Sequence, residues 1–201
     1  MHRSDRDIYY KGKYRTQTLR WKSWDYSWDG YYFVTISTGN KVEFFGEIRK
    51  DEMNLSNIGR IVREEWLKTS EIRQNVTLDK WVVMPNHFHA IVVLGKKNID
   101  DINADGVVEA FWQNASTQNT NKQNALEQPN KPFKLMPNSL GSIINQFKTK
   151  CTKRIRKKGR KDFAWQSRYH EHVIRNKESL ERIRDYIKRN PLMWNRDRNN
   201  I

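Results

Sequence analysis

The chain has 201 residues, enough for one domain with a hydrophobic core, and its single Cys151 excludes an internal disulfide and suggests a reducing compartment. Lys and Arg number 38 against 23 Asp and Glu, and the resulting net charge of +15 indicates a polyanionic partner, nucleic acid before all others. No apolar run reaches the roughly 20 residues that cross a bilayer, and the N-terminus lacks the apolar core of a signal peptide. We therefore expect a cytoplasmic, nucleoid-associated protein without membrane contact.

The first third of the chain predicts an arm, a strand, a hairpin and a helix. Residues 1–30 are polar and aromatic without a sustained period, so we interpret them as an N-terminal arm. Residues 31–37 are β-branched and aromatic, as in a buried strand, and residues 44–48 and 53–55 predict two short paired strands. After Ser56, apolar residues recur at helical spacing until about residue 69. These stripe residues are Ile58, Ile61, Val62, Trp66 and Leu67.

The central stretch of the chain runs from Trp81 to Leu94 and contains two apolar segments around Pro85 and Asn86. It predicts two antiparallel strands, with a His-Phe-His sequence at the start of the second. Because side chains alternate across a strand, His87 and His89 should share one face while Phe88 enters a core on the other. Two imidazoles at this spacing can bind one divalent ion. Chance explains such a pair about equally well, as one surface and one core-edge histidine.

Residues 96–138 change character, with Asn, Gln, Asp, Ser and Thr dominating. Such a segment cannot bury enough apolar area to offset the entropy of ordering it. We interpret it as a flexible insertion between two core elements of the same domain.

A second helix is predicted from Ser139, with an apolar stripe and a strongly basic C-terminal half that ends near Gly159. From Ser139 to Ile201 there are 18 Lys and Arg against 6 Asp and Glu, a net charge of +12. Complementarity to the helix dipole accounts for part of this excess. The high density of Lys and Arg side chains in this half of the helix favours contact with the phosphates of a nucleic acid.

The last third ends with a strand at residues 171–174 and a helix that Asn176 caps and Pro191 limits. The complete order, β-α-β-β-α-β-α, predicts an α+β fold with a ferredoxin-like antiparallel sheet and helices packed on one face. We place the domain at residues 31–195, interrupted by the insertion, with a C-terminal tail at residues 196–201.

The last predicted helix carries Tyr186 and Asn190, which lie one turn apart on the flank of its apolar stripe. A single tyrosine in such a position is by default a packing residue with a solvated hydroxyl. The amide oxygen of Asn190 is a suitable hard ligand, so His87, His89 and Asn190 would form a three-ligand site with open positions.

Two motifs together resemble a known family. Residues 83–92 contain Met-Pro-Asn-His-Phe-His, and residues 183–191 contain Tyr-Ile-Lys-Arg-Asn-Pro, with Trp-Gln-Ser-Arg-Tyr-His between them at residues 165–170. This combination resembles the single-tyrosine HUH transposases, and most closely the REP-associated tyrosine transposases. The likeness runs from about residue 32 to residue 194, apart from the insertion.

The resemblance implies an enzyme that cleaves single-stranded DNA beside a hairpin and rejoins it. Tyr186 would be the nucleophile that forms a 5′-phosphotyrosyl link, and His87, His89 and Asn190 would hold Mg²⁺ or Mn²⁺. His170 and His172 would have supporting roles on a packed strand. The residues implied in DNA binding are Lys150, Lys153, Arg154, Lys157, Lys158, Trp165 and Arg168.

Two other functions fit the same residues. A regulator derived from such a transposase would bind structured DNA or RNA without cutting it, and a hydrolase would use water in place of Tyr186. We expect single-stranded or hairpin DNA as the partner and no organic cofactor, and the sequence leaves open a monomer or a homodimer.

Overall fold

The computed structural model describes residues 24–95, 136–197, 199 and 200, and the backbone of two short strands near the N-terminus. The strands are β1 (Tyr9–Tyr10), β2 (Lys13–Tyr14), β3 (Gly30–Ser37), β4 (Gly46–Arg49), β5 (Glu52–Leu55), β6 (Val76–Val83), β7 (His87–Leu94) and β8 (His170–Ile174). The helices are α1 (Asn57–Glu71), α2 (Leu140–Lys157) and α3 (Lys177–Arg189), and 3-10 turns span Gly39–Lys41 and Pro191–Arg196. Most of the predicted arm, and the insertion as far as residue 135, lie outside the described residues.

A four-stranded antiparallel sheet with the order β6-β7-β3-β8 forms the centre of the fold. Strand β3 lies between β7 and β8, so that Thr35 is paired with His89 on one side and with His170 on the other. Strands β4 and β5 form a separate hairpin, as the sequence predicts. The α+β class, the antiparallel sheet and the order of its elements are confirmed.

One face of the sheet packs against α1 and α2. Tyr32, Val34 and Ile36 point from β3 into this layer, and all three are fully buried. The ring of Trp66 on α1 lies 4.8 Å from Phe88 of β7 and 5.1 Å from Phe147 of α2. Ile61, Val62 and Trp66 of the predicted stripe are therefore buried in this core, whereas Leu67 is 40% exposed.

The opposite face packs against α3, which corrects the expectation that all helices lie on one face. Leu180 and Ile187 of α3 are buried in a second apolar cluster with Tyr31, Ile91 and Ile174 of the sheet. The stripe on α3 predicts an amphipathic helix but does not decide which side of the sheet it covers. No described strand of the sheet follows α3, so the handedness rule for strand crossovers does not constrain it.

Side chains cap the helices at the residues that the sequence indicates. The Ser56 hydroxyl accepts hydrogen bonds from the backbone N–H groups of Ile58 and Gly59 at the start of α1. The Asn176 side chain accepts one from the N–H of Ser179 at the start of α3. Each cap satisfies donors that the first turn of a helix leaves without an intrahelical partner.

The described residues at both predicted domain boundaries contact the domain. Trp24 donates a hydrogen bond from its indole N–H to the Tyr32 hydroxyl, and the backbone oxygen of Tyr26 accepts one from the N–H of Leu140. In the predicted tail, the backbone oxygen of Asn199 accepts a hydrogen bond from the Asn86 side chain. The boundaries at residues 31 and 195 stay a prediction. Among the described residues, none of the helices is both long and apolar enough to pass through a membrane.

Candidate active site

The turn between β6 and β7 fixes the histidine pair. The Pro85 backbone oxygen accepts a hydrogen bond from the N–H of Phe45, and the Asn86 backbone oxygen accepts one from the N–H of Thr38. Immediately after this turn, His87 and His89 project from the α3 face of the sheet, with ring centroids 4.5 Å apart. They are 0% and 2% exposed, so both predicted histidines lie together in a buried position.

Asn86 orients the ring of His87. Its side-chain nitrogen donates to the backbone oxygens of Lys41 and Asn199, which directs its amide oxygen toward His87 Nδ1 at 2.9 Å. Because an amide oxygen only accepts, Nδ1 carries the proton and Nε2 keeps a lone pair. Burial lowers the pKa of His87 to about 4, against the opposing effect of the Asp197 charge. At neutral pH the ring is therefore uncharged, the form that binds metal ions.

His89 is held between two hydroxyl groups. The Thr35 hydroxyl lies 2.8 Å from His89 Nδ1, and the Tyr186 hydroxyl lies 3.2 Å from His89 Nε2. The Phe33 ring stacks on the imidazole at a centroid distance of 5.4 Å. The strands β3 and β7 and the helix α3 thus converge on one ring, and α3 brings the predicted nucleophile to the histidine pair.

Asn190 lies one helical turn beyond Tyr186 and differs from it in exposure. Tyr186 is 45% exposed, whereas Asn190 is 2% exposed and its side chain lies beside His87. Two buried atoms of this group, His87 Nε2 and Asn190 Oδ1, have no hydrogen-bond partner among the described residues. Buried acceptors of this kind call for a donor or a cation. The predicted set of His87, His89 and Asn190 therefore forms a cluster, and it fits a cation.

Asp197 joins this cluster, although sequence reasoning assigned it to the tail. Its carboxylate Oδ2 lies 3.7 Å from His87 Nε2, and one ligand atom from each of His87, His89 and Asp197 lies within 4.8 Å of the others. The 3-10 turn after Asn190 returns the chain to the site and so places Asp197 there. Trp194 in that turn has its ring centroid 6.0 Å from that of His87. The signal in the sequence was Pro191, which ends α3 and permits the reversal.

The basic residues of α2 lie elsewhere. Lys150, Lys153, Lys157 and Lys158 are exposed on the helix that covers the face opposite the histidines. Arg154 differs from them, because its guanidinium is 2.6 Å from the carboxylates of both Glu64 and Glu65 on α1. The structure therefore gives Arg154 a partner within the protein, whereas its lysine neighbours face solvent.

Trp165 and Arg168 also differ from each other. The Trp165 ring is half-buried, lies 5.3 Å from Phe45 and 5.2 Å from Phe163, and donates its N–H to the backbone oxygen of Lys148. These contacts give Trp165 a packing role. Arg168 is exposed. A role of either residue in DNA binding stays a prediction.

Comparison with known proteins gives a fold and a relative. No family model matches the chain. A solved structure of a REP-associated tyrosine transposase bound to a REP hairpin is similar, with a TM-score of 0.50 and 18% identity over 90% of this chain and 73% of that one. At this identity the likeness shows the fold. A Haemophilus influenzae protein, described as uncharacterized, is 31% identical over 189 residues, which cover 94% of this chain and 95% of the relative. The chain therefore belongs to the same family as that Haemophilus influenzae protein.

Proposed function

We propose that the protein is a metal-dependent enzyme of the tyrosine transposase type, which cuts and rejoins single-stranded DNA beside a hairpin. One observation carries the proposal: the Tyr186 hydroxyl lies 3.2 Å from His89 Nε2, beside two buried acceptors, His87 Nε2 and Asn190 Oδ1, that have no partner among the described residues and fit a cation. The similar fold of a tyrosine transposase bound to a REP hairpin supports the choice of substrate. The net charge of +15 suits a polyanion.

The donor set suits a divalent ion such as Mn²⁺ or Mg²⁺. His87 and His89 would supply imidazole nitrogens, Asn190 an amide oxygen and Asp197 a carboxylate oxygen. A mixed nitrogen and oxygen set of this kind fits Mn²⁺ better than Mg²⁺, which prefers oxygen ligands alone. When bound, the ion would polarise the phosphate and offset the charge that develops during attack.

Tyr186 would perform the exchange. Its phenol oxygen forms a bond to the phosphorus and loses its proton, while the bond from phosphorus to the 3′ oxygen breaks and that oxygen takes up a proton. The product is a 5′-phosphotyrosyl link and a free 3′ hydroxyl. Because one phosphate ester replaces another, a 3′ hydroxyl can later attack the link and rejoin a strand without ATP.

The test uses labelled single strands that carry a hairpin, incubated with the protein and Mn²⁺. We expect a covalent protein–DNA adduct that EDTA prevents and that Tyr186→Phe abolishes. The 45% exposure of Tyr186 makes Tyr186→Phe a mild change for folding, so an unchanged melting temperature is the control. Hairpins taken from inverted repeats beside the gene are the first substrates to try.

Two other outcomes would contradict the proposal. Free 5′ phosphates without an adduct would indicate a hydrolase that uses water. Binding without cleavage, unaffected by Tyr186→Phe and by EDTA, would indicate a regulator that only binds structured DNA or RNA.

A further inference from the structure

The strands β7, β3 and β8 align their side chains in rows on the α3 face. One row contains Val93, Tyr31 and Ile174, and α3 covers it with Leu180. The next two rows continue toward the histidine pair, and on β8 they contain His172, opposite Phe33, and His170, opposite Thr35. The covered row is apolar, whereas the two following rows present imidazole rings.

Among the described residues, α3 covers these rows only in part. Ile174 is fully buried, whereas His172 and His170 on the same strand are exposed. On β3, Tyr31 is buried, but Phe33 and Thr35 are only half-buried. Phe33, Thr35, His170 and His172 thus form an open sheet face beside the site. Val173 and Ile174 are buried, as expected for a packed strand, whereas His170 and His172 are exposed, and their supporting role stays a prediction.

The open sheet face is continuous with the nucleophile. The Phe33 ring contacts the Tyr186 ring edge-on at a centroid distance of 6.1 Å, and it stacks on His89 on the side of β7. On the other side, His172 lies directly across from Phe33, where paired side chains are about 5 Å apart at Cβ. A row of flat rings therefore extends from Tyr186 through Phe33 to His172.

One fixed positive charge, that of Arg175, lies near His172. The pKa of His172 is lowered, first by partial burial and then by the charges of Arg175 and His170. The acidic neighbour on the strand, Glu171, pairs with Val34 and so points to the opposite face of the sheet. Flat rings on an antiparallel sheet match the bases of a single strand.

We propose that the open sheet face binds single-stranded DNA, with Phe33 and His172 as stacking rings for bases next to the phosphate that Tyr186 attacks. The position of the scissile phosphate rests on the proposed function, whereas the binding of a single strand to this face does not. The predicted DNA-binding lysines of α2 lie on the other side of the sheet, so they cannot supply this contact.

The test measures the Kd of a fluorescein-labelled 15-nucleotide oligo-dT, with a 15-unit abasic strand as the matched probe. The protein carries Tyr186→Phe throughout, so that no cleavage intervenes. We expect His172→Ala to raise the Kd for oligo-dT about tenfold. On the abasic strand, which keeps the phosphates and lacks the bases, His172→Ala should change the Kd less than twofold.

Two further variants keep the result interpretable. His172→Trp restores a ring and should recover most of the affinity for oligo-dT. Phe33→Leu keeps the apolar contact with His89 but removes the ring, and it should also weaken oligo-dT binding. Equal losses on both probes, or no loss on oligo-dT, would overturn the proposal.

The remaining possible outcome is that the exposed histidines, His170 and His172, bind a metal ion. If His172→Ala lowers the number of Mn²⁺ ions bound in calorimetry, the imidazoles bind metal and the stacking proposal is wrong. An absent Tyr186 adduct in the earlier assay would contradict the proposed function alone, because oligo-dT binding is measured without cleavage.

Discussion

The two faces of the central sheet are built from the same strands and differ in the polar groups that they bury. On the face that α1 and α2 cover, β7 contributes Phe88, Ala90 and Val92 to a continuous apolar core. On the face that α3 covers in part, the same strand contributes His87 and His89, which are buried among polar groups. Adjacent residues of one strand therefore lie in an apolar core on one side and in the candidate site on the other.

This difference shows that polar side chains can remain buried where neighbouring groups provide hydrogen-bond partners. On β7, Phe88, Ala90 and Val92 have no polar side-chain atoms to satisfy, whereas each imidazole on the other face has its Nδ1 oriented by a neighbour. These partners fix the rings and leave His87 Nε2 available to a ligand, whereas His89 Nε2 lies 3.2 Å from the Tyr186 hydroxyl. Substitutions on the two faces should consequently separate unfolding from ligand binding.

The largest effect is expected from Phe88→Ala. Phe88 is fully buried against Trp66 and Phe147, so the cavity should lower the free energy of unfolding by about 3–5 kcal/mol. Denaturant unfolding without metal measures this loss. The molecules that remain folded should bind Mn²⁺ with unchanged affinity. A loss of metal binding in that folded fraction would show that metal binding also depends on the face that α1 and α2 cover.

His87→Ala is expected to act on the metal. Replacing the ligand should weaken Mn²⁺ binding by at least about 100-fold, since even partners behind a ligand contribute 10- to 100-fold. Isothermal titration calorimetry gives the affinity, and His172→Ala is the matched control that should keep it. Equal Mn²⁺ affinities for wild type and His87→Ala would exclude the proposed site.

Thr35→Val tests the orientation of His89. Valine has a similar shape but lacks the hydroxyl that lies 2.8 Å from His89 Nδ1. We expect Mn²⁺ affinity to fall about tenfold while the melting temperature changes little. A Thr35→Ser variant retains the hydroxyl and should bind like the wild type. If both variants bind equally, the hydroxyl does not orient the ring.

The smallest effect is expected from Lys153→Ala on the exposed surface of α2. If this lysine contacts phosphate, the variant should reduce the slope of log Kd against log salt concentration by about 1 for single-stranded DNA. The loss should be equal on oligo-dT and on the abasic strand, in contrast to His172→Ala. An unchanged slope would remove α2 from the DNA-binding surface.

Much of the fold could be predicted because the sequence carries local signals for it. The alternation around Phe88 predicts the two sides of β7, and the caps at Ser56 and Asn176 mark helix starts. The side of the sheet that α3 covers could not be predicted. Its stripe indicates only that one side of the helix is buried, and the choice of face depends on contacts with residues distant in the sequence.

The site could be predicted in part for a similar reason. His87, His89, Tyr186 and Asn190 lie on regular elements, where spacing determines which side chains share a face. Asp197 follows an irregular turn, in which the spacing of apolar residues does not predict where a side chain lies. The packing of Trp165 and the ion pairs of Arg154 depend on tertiary contacts, which the family resemblance that implied DNA contacts for both could not show.

The Asn86 side chain allows almost no substitution, not even by the residue most similar to it. Its amide nitrogen donates to two backbone oxygens from distant segments, Lys41 and Asn199, while its oxygen accepts from His87. Aspartate has the same size, but it would place a charged oxygen against both carbonyls in a position that is 1% exposed. A change of one functional group would therefore release the C-terminal residues and the Lys41 turn together, although the remaining oxygen would still accept from His87.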